Sequence, residues 1–254
     1  MQNLDPLLAL QPIVVIAVTA ALIIYWRARK RFPVSILPYT LFAYFGAIAI
    51  KYVIQTLTIT QVFATGNLYV EGIYYGLQTS LLEVGLAYLV ARYAISKKDL
   101  KARDASGYGL GLAFWEDGVL LGVFSLIGII GTYAVLSGNG AVAIKAYDSL
   151  ASSAPSYFLP PASLLPKLAL GILERISSIL VHVAWGYLAF LAAFYKRRDL
   201  LAVALPMGFV DFFVPFASAI GIAYFELLIF AIAVASVLVA WHITRHMANR
   251  SRKS

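Results

Sequence analysis

The sequence predicts an all-α, polytopic membrane helical bundle of about seven transmembrane helices, with its N-terminus outside and its C-terminus in the cytoplasm. Three observations carry this reading. Hydrophobic residues make up 61% of the 254 and charged residues only 13%, against about 25% charged in soluble domains, too few to cover a soluble surface. Apolar runs of about 20 residues, the length a span needs, recur along the chain. The basic residues gather in connections that fall on one side of such a bundle, which places that side in the cytoplasm.

The first apolar run, 8–26, lacks the basic leader and small-residue cleavage site of a signal peptide and is expected to remain as a span. Arg27, Arg29, Lys30 and Arg31 follow it. The second run, 35–58, contains Lys51. The third, 73–95, places Glu83 near mid-depth and Arg92 close enough to its end to snorkel. Lys97, Lys98, Lys101 and Arg103 then lead into the fourth, 107–137, which is long enough to project from the bilayer. It opens with Gly107, Gly109 and Gly111, small residues of the kind that let membrane helices approach closely. Glu116 and Asp117 lie about two turns further in. Adjacent α-helical residues point roughly 100° apart, so one of these two acids is expected to face the interior. The fifth run, 169–195, carries Glu174 and a polar stripe of Arg175, Ser178 and His182 at i, i+3 and i+7. The sixth and seventh, 200–218 and 219–241, meet almost without a loop and contain Asp211 and Glu226.

The chain thus reads as one transmembrane domain, 1–254, with an outer loop at 138–168 and a basic cytoplasmic tail at 242–254. The loop is dense in turn residues, from Gly138-Asn139-Gly140 to Pro160-Pro161, and is expected to be irregular. The net charge of +8 follows from the basic connections and tail, so it speaks for anionic lipid and against nucleic acid as a partner. With no cysteine, the chain forms no disulfide, thiol nucleophile or zinc thiolate. No metal or cofactor is assigned from sequence: His182 stands alone in the apolar region, His242 and His246 lie in the tail, and no His-Glu-x-x-His motif occurs.

Six of the twelve acidic residues, Glu83, Glu116, Asp117, Glu174, Asp211 and Glu226, therefore sit within predicted spans. Each costs roughly 2.5 to 3.5 kcal/mol at a helix centre, so such residues face a bundle interior and mark a function. The candidate site is Glu83, Glu116, Glu174, Arg175 and His182, converging in one cavity. Asp117, Glu226 and Lys51 are expected in packing or interface roles. Several chemistries use such a set: water activation by paired carboxylates, a divalent metal held by histidine and carboxylates, a proton or solute path, or plain ion pairs that lock helix packing.

In these residues the chain resembles the YhfC-like, glutamic-type intramembrane proteases, of a superfamily that includes CAAX-processing proteases and the scaffold subunit of γ-secretase. The resemblance spans about 10–245. A third-span Glu-Glu-x-x-Arg motif is represented by Leu82-Glu83-Val84-Gly85-Leu86, and a fourth-span Gly-x-Gly-His-Gly-x-x-Glu motif by Gly109 through Glu116. The fifth-span Glu-Arg pair is Glu174-Arg175, and a sixth-span His-x-x-x-Asp-Phe-Phe pattern is Met207 through Phe213. Leu82, Leu86, Leu112 and Met207 replace polar residues that the resemblance implies activate water and stabilise the oxyanion. His182 lies outside the pattern.

Two readings of function follow, and the sequence leaves open whether the chain is an enzyme. The four replacements favour a non-catalytic scaffold in the cell membrane, with other membrane subunits as partners. The alternative is an active, rewired protease or hydrolase acting on single-span substrates, with Glu83 and Glu116 activating water and His182 replacing a lost group. A small-solute or proton transporter is a third reading, without the repeats that such transporters show.

Overall fold

The structure, a computed structural model, describes residues 4–138 and 140–250, and every regular element among them is helical. A 3-10 turn at Pro6–Ala9, capped by Asp5 accepting from the Leu7 amide at 2.9 Å, leads into α1 (Leu10–Lys30). Arg31, left-handed at φ 54°, ends it. α2 (Ile36–Phe63) follows. Asn67 caps the next helix through the Tyr69 and Val70 amides, and that helix runs as α3 (Leu68–Gln78), a π-helical turn (Thr79–Val84) and α4 (Gly85–Lys97). α5 (Ala105–Ala113), a second π-helical stretch (Phe114–Val123) and α6 (Phe124–Leu136) form another interrupted rod. After α7 (Ala141–Ser153) and a 3-10 turn (Pro155–Phe158) come the 35-residue α8 (Pro161–Tyr195) and α9 (Arg198–Gly208). A 3-10 segment (Phe209–Phe216), α10 (Ala217–Ile220) and α11 (Ile222–Arg250) are the last of the described elements.

Among the described residues, six helices are long and apolar enough to cross a membrane: Pro6–Lys30, Ile36–Phe63, Ala102–Leu136, Pro161–Tyr195, Arg198–Ile220 and Ile222–Met247. The expected third span lies in the run from Leu68 to Lys97, whose helical pieces of 11, 6 and 13 residues are together long enough. Its polar residues, Gln78, Thr79, Ser80 and Glu83 among them, hold its hydropathy below that of the six. The expected irregular loop at 138–168 is instead mostly helical, because Ala141–Ser153 is rich in alanine and free of proline. Asn139 of that loop and 251–254 of the basic tail lie outside the described residues, and 242–250 continue α11.

α8 is the centre. Of its most apolar window, 72% is buried, against 11 to 28% in the other five. Sequence accounts for this: from Ser177 to Ala193 the helix is, His182 apart, apolar or small all round, as a helix enclosed on every side must be. α1, α4, α5, α9 and α11 all pack on it. The α5 contact is backbone to backbone. A Cβ on Gly109 would lie 2.6 Å from the Val183 carbonyl oxygen, and one on Gly186 would lie 2.9 Å from the Gly109 Cα.

Gly109→Ala is expected to destabilise the purified protein by about 1–3 kcal/mol, since neither backbone can yield. Gly128→Ala, with nothing within 4 Å of its Cβ, is expected to be neutral or stabilising by up to about 1 kcal/mol. Thermal midpoints in detergent compare the two, and equal midpoints would refute the close approach. Orientation is tested by single cysteines at Ser96 and Ser137, at opposite ends of the interrupted rods. With the N-terminus outside, an impermeant thiol reagent applied to cells labels Ser137→Cys and leaves Ser96→Cys unmodified.

Candidate active site

Four of the acidic residues enter the interior from places where helices depart from α geometry, whereas Glu174 and Glu226 come from α8 and α11. Glu83 lies in the π turn Thr79–Val84, Glu116 and Asp117 in the π stretch Phe114–Val123, and Asp211 in the 3-10 segment Phe209–Phe216. π turns are rare and are frequently found at functional sites. Each of these is pinned to a neighbour. The Ser80 hydroxyl donates to the Leu205 carbonyl at 2.7 Å, and Trp115 Nε1 donates to the Leu37 carbonyl at 2.9 Å. Gly72 and Gly76, one turn apart on α3, admit Phe212 and Phe209 of the 3-10 segment. From α8, a regular helix, come Arg175, Ser178, His182 and Trp185.

Two networks result. In the first, Lys51 Nζ lies 2.5 Å from Glu83 Oε1, 2.9 Å from Thr79 Oγ1 and 3.9 Å from Asp211 Oδ2, and the Thr79 hydroxyl donates to Asp211. In the second, Arg175 pairs with Glu174 and, at 3.4 Å, with Asp117 Oδ1, while the Ser178 hydroxyl donates to Asp117 Oδ2 at 3.1 Å.

His182 joins them. Its Nδ1 lies 2.9 Å from the Ser178 carbonyl oxygen, which only accepts, so Nδ1 carries a proton. Nε2 then faces Glu116 Oε2 at 2.8 Å and Glu83 Oε2 at 3.5 Å, with no partner in line for a hydrogen bond. A bare nitrogen lone pair against two carboxylates is repulsive, so Nε2 requires a cation between them: a second proton or a metal ion. One ligand atom from each of Glu83, Glu116 and His182 lies within 4.8 Å of the others, the sole such trio among the described residues. The set fits a divalent ion by donor type, two carboxylates and an imidazole whose other nitrogen is fixed by a carbonyl.

All five residues selected from sequence line one cavity of about 190 Å³ enclosed by α2, the π turns, α8, the 3-10 segment and α11. Glu83, Glu116 and His182 meet at its core. Glu174 stands at its mouth, with 45% of its side chain exposed. Asp117 is the correction. It is fully buried and bonded to Arg175 and Ser178, so both adjacent acids face inward. The π stretch has more residues per turn than an α-helix, which narrows the angle between neighbours. Lys51 and Glu226, expected in packing roles, also line the cavity, as does Trp185, whose Nε1 has no acceptor. Arg175 further lines a second cavity of about 260 Å³ with Gln11, Ser125, Ser156 and Lys167. His242 and His246 meet edge to face, ring centroids 4.4 Å apart, far along α11 and outside either lining.

A family model described as YhfC intramembrane metalloprotease matches residues 14–235, and the chain belongs to that family. That description names a metal-dependent class, where the motif resemblance is to glutamic-type enzymes. No curated protein and no solved structure matches.

Removing one partner of a buried pair costs about 3–5 kcal/mol, so Lys51→Met is expected to destabilise the fold by that amount through the stranded Glu83. Adding Glu83→Gln should restore most of the loss. A double-mutant cycle on unfolding midpoints measures it, and additive effects would show that the two side chains do not interact.

Proposed function

We propose that the chain is an active, metal-dependent intramembrane peptidase, with Glu83, Glu116 and His182 holding a divalent ion. The observation that carries this is the arrangement at His182: Nδ1 committed to a carbonyl, Nε2 turned toward two carboxylate oxygens without a hydrogen bond in line. When bound there, a divalent ion supplies Lewis acidity that polarises a scissile carbonyl and makes water a stronger acid.

The chain's own residues supply the rest. Lys51 holds Glu83 by Oε1 and leaves Oε2 directed at His182. Asp117 and Ser178 orient the imidazole from behind, Asp117 accepting from Ser178, which lies 3.3 Å from His182 Nδ1. Trp185, one turn from His182, lines the cavity and carries an Nε1–H without an acceptor, a donor free for a carbonyl oxygen on which charge develops. Arg175 also borders the second cavity, where Gln11, Ser125, Ser156 and Lys167 stand among apolar side chains. The four apolar replacements that favour a scaffold weigh less in this light, because Leu82, Leu86, Leu112 and Met207 all lie outside the cavity lining. Leu112 instead packs over Gly186.

The scaffold reading retains one specific support: the ammonium of Lys51 already compensates Glu83 without any metal. The two readings separate on metal content and cleavage. The protein reconstituted in liposomes is expected to hold about one divalent ion per chain and to cleave single-span substrates. Glu83→Gln, Glu116→Gln and His182→Ala should each lose the ion and at least about 100-fold in rate. Trp185→Phe should keep the ion while losing about 10- to 100-fold in kcat. A protein that binds no divalent ion, or whose cleavage ignores all three ligand changes, overturns the proposal.

A further inference from the structure

We propose that Glu226, flanked by Glu174, forms a subsite for a cationic side chain of the substrate, a lysine ammonium or an arginine guanidinium. The proposal deepens the peptidase reading and rests on it for the word substrate. Glu226, near the start of α11, is 2% exposed and lines the same cavity as the Glu83–Glu116–His182 trio. Its Oε2 is buried with no hydrogen-bond partner. A buried carboxylate oxygen without a donor is costly, and native proteins leave few of them. Arg175 is within electrostatic reach but is already held by Glu174 and Asp117.

The charge of the interior points the same way. Glu83, Glu116, Asp117, Glu174, Asp211 and Glu226 stand against Lys51 and Arg175, so acidic groups outnumber the permanent cations of the interior by six to two. A second metal is the poorer match, since the described residues contain no other set of three metal-ligating groups. A lysine or arginine fits better. Phe225 and Ile229 of α11 offer its alkyl stem apolar contact in the same lining, and the head group reaches the carboxylate. The open position of Glu174 gives that side chain an entrance.

The test uses the full chain in nanodiscs and an apolar peptide of about 20 residues, its central peptide bonds N-methylated to prevent cleavage. One version carries a central arginine and the other its neutral isostere, citrulline. The arginine peptide is expected to bind about tenfold more tightly to the native protein, which corresponds to about 1.4 kcal/mol. In Glu226→Gln that difference should shrink to less than about twofold, with the citrulline peptide bound as before and the unfolding midpoint retained. Equal affinities in the native protein, or a preference that survives Glu226→Gln, overturn the proposal. So does a metal stoichiometry that falls from two to one in Glu226→Gln, which would make this carboxylate an ion ligand. An arginine preference in a protein that holds no metal and cleaves nothing would sink the peptidase reading and leave the subsite standing.

Discussion

A carboxylate inside a bilayer is tolerable only beside a cation, a donor or a proton, and the bundle is arranged around that requirement. Lys51 of α2 meets Glu83 and approaches Asp211, joining three separate parts of the chain at one ammonium. Arg175 and Ser178 of α8 meet Asp117 of the second π stretch, joining two more. None of these helices can shift without stranding a charge. Lipid provides little hydrophobic drive between apolar helices, so these polar contacts, with the glycine-mediated approach of α5 to α8, set the relative placement of the elements that carry the site.

The interior divides labour between straight and interrupted helices. α8 is long, regular and enclosed, and it presents Arg175, Ser178, His182 and Trp185 along successive turns of one rigid rod. Opposite it, Glu83, Glu116, Asp117 and Asp211 come from two π turns and a 3-10 segment. The imidazole is thereby held by a fixed backbone carbonyl, while the carboxylates that face it sit on backbone with looser hydrogen bonding.

Much of this was legible in the sequence, and the reasons for the rest are physical. Apolar length and the one-sided basic connections define a polytopic helical bundle, and the penalty for intramembrane charge marks Glu83, Glu116, Glu174, Arg175 and His182 as residues of one cavity. Asp117 was misjudged because the α-helical angle between neighbours does not hold in a π turn, and no residue pattern announces such a turn. Lys51 and Glu226 gave only their charge: their partners, or the want of one, depend on how α2 and α11 pack. The donor in Trp185 was hidden for a similar reason, since an indole in an apolar run reads as core. Helix α7 was obscured by the turn residues on both sides of it.

Both trio carboxylates are anchored where the regular i to i+4 ladder is interrupted. Such a turn carries an extra residue between successive turns, so the side chains on either side of it leave the helix in a changed direction. Small rotations there move the tip of a glutamate by a large lever arm while the helix on either side stays seated. On the proposed reading, the trio would offer an ion one ligand from a regular helix and two from π-helical backbone.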